Sequence, residues 1–158
     1  MKIDFHFGII YILAKSAGFK EDYAYEVAFS SQYVDDAKEY EEIPSAEDFE
    51  QIVSSHEVLD PKNFMVEDGM EVWVPFHFVP GCVGKDLIEF FKTKPDSKII
   101  NDIIDNEIIP ADINREDKHI MFGIALHPYA DTFAHQDFAG LNSRDNIDDL
   151  YNAQKIYK

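Results

Sequence analysis

The chain has 158 residues, 46% hydrophobic and 14% aromatic, with 14 Lys and Arg against 31 Asp and Glu for a formal charge of −17. That length fits one domain with a useful core, since single domains commonly run to about 100–150 residues, and the acidic excess argues against nucleic acid or an anionic membrane as partner. Cys82 is the single cysteine, which excludes an internal disulfide and Cys-rich zinc sites, and no apolar run approaches the roughly 20 residues of a membrane span.

The first helix is predicted from about Asp4 to Ala17, stopped by Gly18, with the stripe His6, Ile9, Ile10, Leu13 and Ala17. Its apolar run from Phe7 to Ala14 has Asp4 in front and only Lys2 as positive charge, so it reads as a buried helix rather than a signal-peptide core, and a cytoplasmic location is expected. A second helix, about Glu21 to Lys38, carries Ala24, Val27, Ala28, Ser31 and Asp35 on one face. On a helical wheel of about 100° per residue, Asp35 points with Ala24 into the core and Asp36 turns away.

Ser45 and Asp48 resemble a capping box that opens a third helical pattern of Phe49, Ile52, Val53, His56 and Leu59, closed by Asp60-Pro61. Residues 71–80, with two prolines among aromatic and β-branched side chains, are expected to be a short extended segment walling the core. Two more helices are expected, about Lys85 to Lys92 and about Ser97 to Ile109, the latter with Ile99, Ile100, Ile103, Ile104 and Ile108 at helical spacing. A last helix, about Arg115 to Phe138, contains Pro128, which is expected to kink it or break it in two. The expectation is a mostly α, single-domain helical bundle: a metal-binding part over residues 1–140 and a polar tail over 141–158, the latter the start of a missing C-terminal part.

The last helix carries the chemistry. His127, Asp131 and His135 stand at i, i+4 and i+8, at roughly 0°, 40° and 80° on one face, together with Ile120, Gly123, Ile124, Ala130, Ala134 and Phe138. Three ligand-type side chains therefore point inward. His127 and His135 lie about 12 Å apart along the axis, too far to share an ion through bonds of about 2 Å. Asp131 reads as a carboxylate bridging two metals, one held with His127 and the other with His135.

His6, Asp35 and His56 are also expected on buried faces, whereas His77 and His119 are left out of the ligand shell. An unpaired buried carboxylate costs several kcal/mol, against a total stability of about 5–15 kcal/mol for a domain. Such groups either pair with one another or converge on cations. Imidazole and carboxylate donors without thiolate suit a divalent transition metal, Zn²⁺ first and also Mn²⁺, Fe²⁺ or Ni²⁺. One to three ions are expected, with a small anionic or phosphoester substrate.

The order of an early His, a mid-chain Asp and His, then His-x-x-x-Asp followed by another His in a helical chain resembles the zinc-dependent phospholipase C and P1 nuclease superfamily. The resemblance implies one metal on Asp35, His56, His127 and Asp131, a second on His6 with bridging Asp131, and a third on His135. The chain departs from that pattern. It lacks the N-terminal Trp ligand, it has four rather than six residues from Asp131 to the next His, and no histidine follows His135, where Asp137, Asp145, Asp148 and Asp149 read as a solvated tail.

The phrases Asp4-Phe5-His6-Phe7-Gly8, Ser31-Gln32-Tyr33-Val34-Asp35-Asp36, Val74-Pro75-Phe76-His77-Phe78 and the run from His127 to Gln136 are similar to an uncharacterised bacterial family, a domain of unknown function. The expected function is metal-dependent hydrolysis, most naturally of a phosphoester, with Asp131 in the catalytic role. A non-catalytic metal-binding module and a metal-free helical interaction domain stay open. An HD-type phosphohydrolase is disfavoured because no adjacent His-Asp pair occurs.

Overall fold

Helix α2 (Glu21–Asp36) and helix α6 (Lys118–Ala134) form the most extensive pairing of the computed structural model, which describes residues 3–38, 52–57, 59–65, 69–111 and 117–141. Glu21 and Asp22 in the first turn of α2 offset its N-terminal dipole. Its buried residues Ala24, Val27, Ala28, Ser31 and Val34 follow helical spacing. The two helices nearly touch at Gly123, where a Cβ would lie 2.3 Å from the Val27 carbonyl oxygen. Only glycine permits that approach.

Helix α1 (Ile10–Ser16) follows a π-helical turn at Asp4–Ile9, which continues into it without a break. It ends in a Schellman arrangement: Gly18, at φ +94°, donates to the Lys15 carbonyl and Phe19 to that of Ala14. The buried positions His6, Ile10 and Ala14 are spaced by four. Ile9 and Leu13, expected inside, are 41% and 59% exposed. A π turn carries more than 3.6 residues, so it delays the stripe by about one position relative to a uniform helix.

One core cluster joins Ile10, Val27 and Ala28 to Phe7, Tyr11, Phe19, Phe122 and Leu126. A second is built on α5 (Lys98–Ile103) and the π-helical turn Ile104–Ile108, which bury Ile100, Ile104 and Ile108 against Val79 and Ala125. Ile99 and Ile103 sit on the flank of that stripe and are 36% and 42% exposed. Short α4 (Leu87–Phe91) is capped by Asp86, whose carboxylate accepts from the Glu89 amide at 2.9 Å.

The fold is mostly helical, and its only β pairing among the described residues is an isolated bridge between Pro80 and Thr93. Three expectations need correcting. The segment expected to be extended over 71–80 is helical to Phe76, as a π turn at Gly69–Trp73 and then α3 (Val74–Phe76). Pro75 falls in the first turn of α3, directly after the π turn.

Residues 52–57, expected in a helix, have no regular structure. The Ser54 and Ser55 amides donate to the Ala37 carbonyl instead of to partners four residues back. Ile52 and Leu59 are 67% and 90% exposed, while Ser45, Asp48 and Phe49 of the same expected helix lie outside the described residues. Helix α6 continues through Pro128 as one element rather than two. Of the expected tail, only Leu141 lies within the described residues.

Candidate metal centre

Asp131 is the hub of the interior: fully buried on α6, its carboxylate faces four histidines from three parts of the chain. His127 stands one turn earlier on the same helix and His135 one residue past its end. His6 arrives from the π turn before α1, and His77 from the end of α3, where its amide closes a turn onto the Trp73 carbonyl. Asp35, in the last turn of α2, supplies a second carboxylate whose side chain is 24% exposed.

On one side of Asp131, its Oδ2 lies 3.4 Å from His127 Nε2 and 3.3 Å from His77 Nδ1. Those two nitrogens are 3.1 Å apart, and Asp35 Oδ1 stands 3.7 and 3.9 Å from them. On the other side, Asp131 Oδ1 lies 3.3 Å from His6 Nε2 and 3.5 Å from His135 Nε2. Tetrahedral coordination with bonds of about 2.0–2.2 Å places neighbouring donors about 3.3–3.6 Å apart. The four ring-to-carboxylate distances of Asp131 fall in that range, and the contacts among His77, His127 and Asp35 spread from 3.1 to 3.9 Å around it.

Proton positions sharpen the point. His127 Nδ1 is 2.7 Å from the Ser31 carbonyl oxygen and His77 Nε2 is 2.8 Å from that of Ser54. A carbonyl only accepts, so each ring spends a proton there, and in neutral rings the inward nitrogens are bare. Two bare nitrogens and two carboxylate oxygens then face one another in a buried space. A metal ion, an extra proton on a ring or the hydrogens of a water molecule would each relieve the repulsion.

Burial is the largest influence on His127 and lowers its pKa, reinforced by His6 and His77 and opposed by Asp131, so an extra proton on that ring is disfavoured. Burial alone would raise the pKa of Asp131, but the rings packed around its carboxylate, His127 first and then His135, His6 and His77, outweigh it and hold the carboxyl far below its usual range, hence ionised. His6 is fully buried and neither of its ring nitrogens has a hydrogen-bond partner; it stacks on His127 with ring centroids 3.8 Å apart. An imidazole buried against a carboxylate with no hydrogen-bond partner at either nitrogen has donor atoms that could serve a cation.

Of the six residues expected from sequence, His6, Asp35, His127, Asp131 and His135 converge here. His56 belongs to neither ligand group whose donor atoms lie within 4.8 Å of one another. It is buried in the wall of the mouth, its ring 6.3 Å from that of Trp73. His77, left out of the expected shell, takes its place in the group with Asp35 and His127. Its signal was present in the sequence, since Pro75 two residues earlier is compatible with a first helical turn as well as with a strand. His119, on the far stretch of α6, stacks on Tyr23 at 3.9 Å and stays outside the centre.

The mouth is a cavity of about 510 Å³ lined by Asp4, Asp35, Lys38, Trp73, Phe78 and His135 among others. It opens beside His135, which is one-third exposed.

The chain belongs to a family of unknown function (DUF6765), which matches residues 1–156. No curated protein and no solved structure matches it. The resemblance to the zinc-dependent phospholipase C and P1 nuclease superfamily draws no support from these comparisons.

Proposed function

We propose that this chain is a metal-dependent hydrolase acting on a small phosphoester through a two-ion centre bridged by Asp131. Asp35, His77 and His127, with Asp131 Oδ2 beside them, would hold one ion through four protein donors. His6 and Asp131 Oδ1, which group with His127, would hold the other, with His135 a further donor 3.5 Å from that oxygen and room left for water. A divalent ion in such a position supplies Lewis acidity and lowers the pKa of water toward neutrality. Zn²⁺ suits the donors best, with Mn²⁺, Fe²⁺ and Ni²⁺ as alternatives.

One observation carries the reading: the bare nitrogens of His127 and His77 face each other at 3.1 Å, each fixed by a backbone carbonyl behind it. Carbonyl-oriented imidazoles are the outer-shell arrangement that metal ligands need. The chemistry expected of the protein groups is modest. Asp131 orients both ligand sets, the buried rings exclude bulk water, and the mouth admits a group that loses its ester bond to water at phosphorus.

Elemental analysis of untreated protein should find one to two equivalents of transition metal, lost in Asp131→Ala and His127→Ala. Hydrolysis across a panel of generic phosphoesters should be abolished by chelation and by Asp131→Ala. Metal-free wild-type protein would end the proposal, and activity unchanged in Asp131→Ala would assign that activity to a contaminant. A second reading, a metal-binding module without turnover, is favoured by the four-donor set; metal in the wild type with no hydrolysis would select it.

A further inference from the structure

We propose that Ser54 is a positioning residue of this centre, its hydroxyl fixing the backbone carbonyl that orients His77. The consequence for metal binding rests on the metal reading above; the structural part stands alone. Helix α2 ends at Asp36, because the Lys38 amide turns back to the Asp36 carbonyl and leaves that of Val34 without its helical donor. The Ser54 hydroxyl fills that vacancy, donating to the Val34 oxygen at 2.9 Å in a buried position. The Ser54 and Ser55 amides both donate to the Ala37 carbonyl, at 3.0 and 3.3 Å.

Residues 52–57 have no regular structure of their own, so these bonds to the end of α2 set their position. From that position the Ser54 carbonyl accepts the His77 Nε2 proton at 2.8 Å and leaves Nδ1 bare toward Asp131. Asp35 is the residue after Val34, and His77 is one hydrogen bond from Ser54. The hydroxyl therefore ties both ligands to one frame, and their 3.9 Å separation depends on it. Ser54 is 5% exposed, so water competes little for these bonds. It acts through His77 and Asp35 and touches neither ion nor substrate.

Loss of the hydroxyl orphans the Val34 carbonyl and frees the Ser54 carbonyl to tilt, which unlocks the His77 tautomer. The test compares the full chain with Ser54→Ala, Ser54→Cys and Ser54→Thr, stripped of metal and titrated with Co²⁺. Ser54→Ala should bind Co²⁺ about 10–100-fold more weakly, the range for loss of an outer-shell partner, with altered visible bands. Ser54→Thr should restore both, and Ser54→Cys, a weaker donor, should fall between.

In parallel, side-chain ¹⁵N spectra of the stripped proteins should show His77 as the Nε2–H tautomer in wild type and Ser54→Thr, and averaged in Ser54→Ala. An Nδ1–H tautomer in wild type overturns the proposal, as does wild-type Co²⁺ affinity with unchanged bands in Ser54→Ala. If Ser54→Ala does not fold, wild-type Co²⁺ affinity in Ser54→Cys overturns it equally. Failure of the wild type to take up Co²⁺ would defeat the metal reading, and the tautomer would still decide the role of Ser54.

Discussion

At the scale of single residues, the centre depends on how each imidazole spends its one proton. His77 and His127 give theirs outward, to the Ser54 and Ser31 carbonyls, whereas His56 lies in the wall beside Trp73. The two kinds of histidine should therefore separate on mutation. His77→Ala should weaken metal binding by more than about 100-fold, beyond the range of outer-shell changes, while His56→Ala should keep the metal stoichiometry of wild type. Isothermal titration of stripped protein reads both, and equal losses in the two variants would return His56 to the ligand set. Sequence spacing found Asp131 with its flanking histidines because one helix and its C-cap carry all three. It missed His77 because a Pro-flanked aromatic run reads equally well as strand or helix start, and only the turn onto the Trp73 carbonyl decides.

At the scale of elements, the ligand-bearing face of α6 is set against α2 by the contact at Gly123, one turn before His127. A methyl group there would meet the Val27 carbonyl oxygen at 2.3 Å and Ser30 Cβ at 2.8 Å, both part of a helix that cannot give locally. Gly123→Ala should push the helices apart, destabilise the chain by about 1–3 kcal/mol and widen the gap between Asp35 and His127. Thermal unfolding and metal titration should both register the change; a variant as stable and as metal-competent as wild type would show that the crossing is looser than described. The helical period of α2 was legible because Ala24, Val27, Ala28 and Ser31 bury a continuous stripe, whereas on α6 Ile120 and Ile124, expected inside with Gly123 and Ala130, are 43% and 40% exposed. Residues 52–57 were not legible, since their apolar spacing mimics a helix while their amides bond across to Ala37. The phase of α1 was also hidden, because a π turn at its start is a property of backbone bonding and leaves no mark in hydrophobic spacing.

At the scale of the whole molecule, a charge of −17 and a buried polar cluster both work against the folded state, and bound cations would offset both. Saturating metal should therefore stabilise the chain by mass action, by about 2.7 kcal/mol at 100 times Kd, or roughly 5–10 °C in Tm for a chain of this size. The pH dependence of the stripped protein follows from His127, whose pKa burial depresses. In the unfolded chain that ring takes up a proton below about pH 6.5, whereas in the fold it resists. The unfolded state then binds more protons, so the stabilising contribution is present above about pH 6.5 and is lost as pH falls toward the folded-state pKa. Asp131, with its carboxyl held far below the usual range, contributes nothing to the slope in this window because it is ionised in both states until about pH 4. Melting curves of stripped protein between pH 7.5 and 5 should show Tm falling with acidity, and His127→Gln should flatten that dependence even where it lowers Tm overall. A steep acid loss that survives His127→Gln would place the titrating group elsewhere and remove the neutral His127 ring from the argument for a cation.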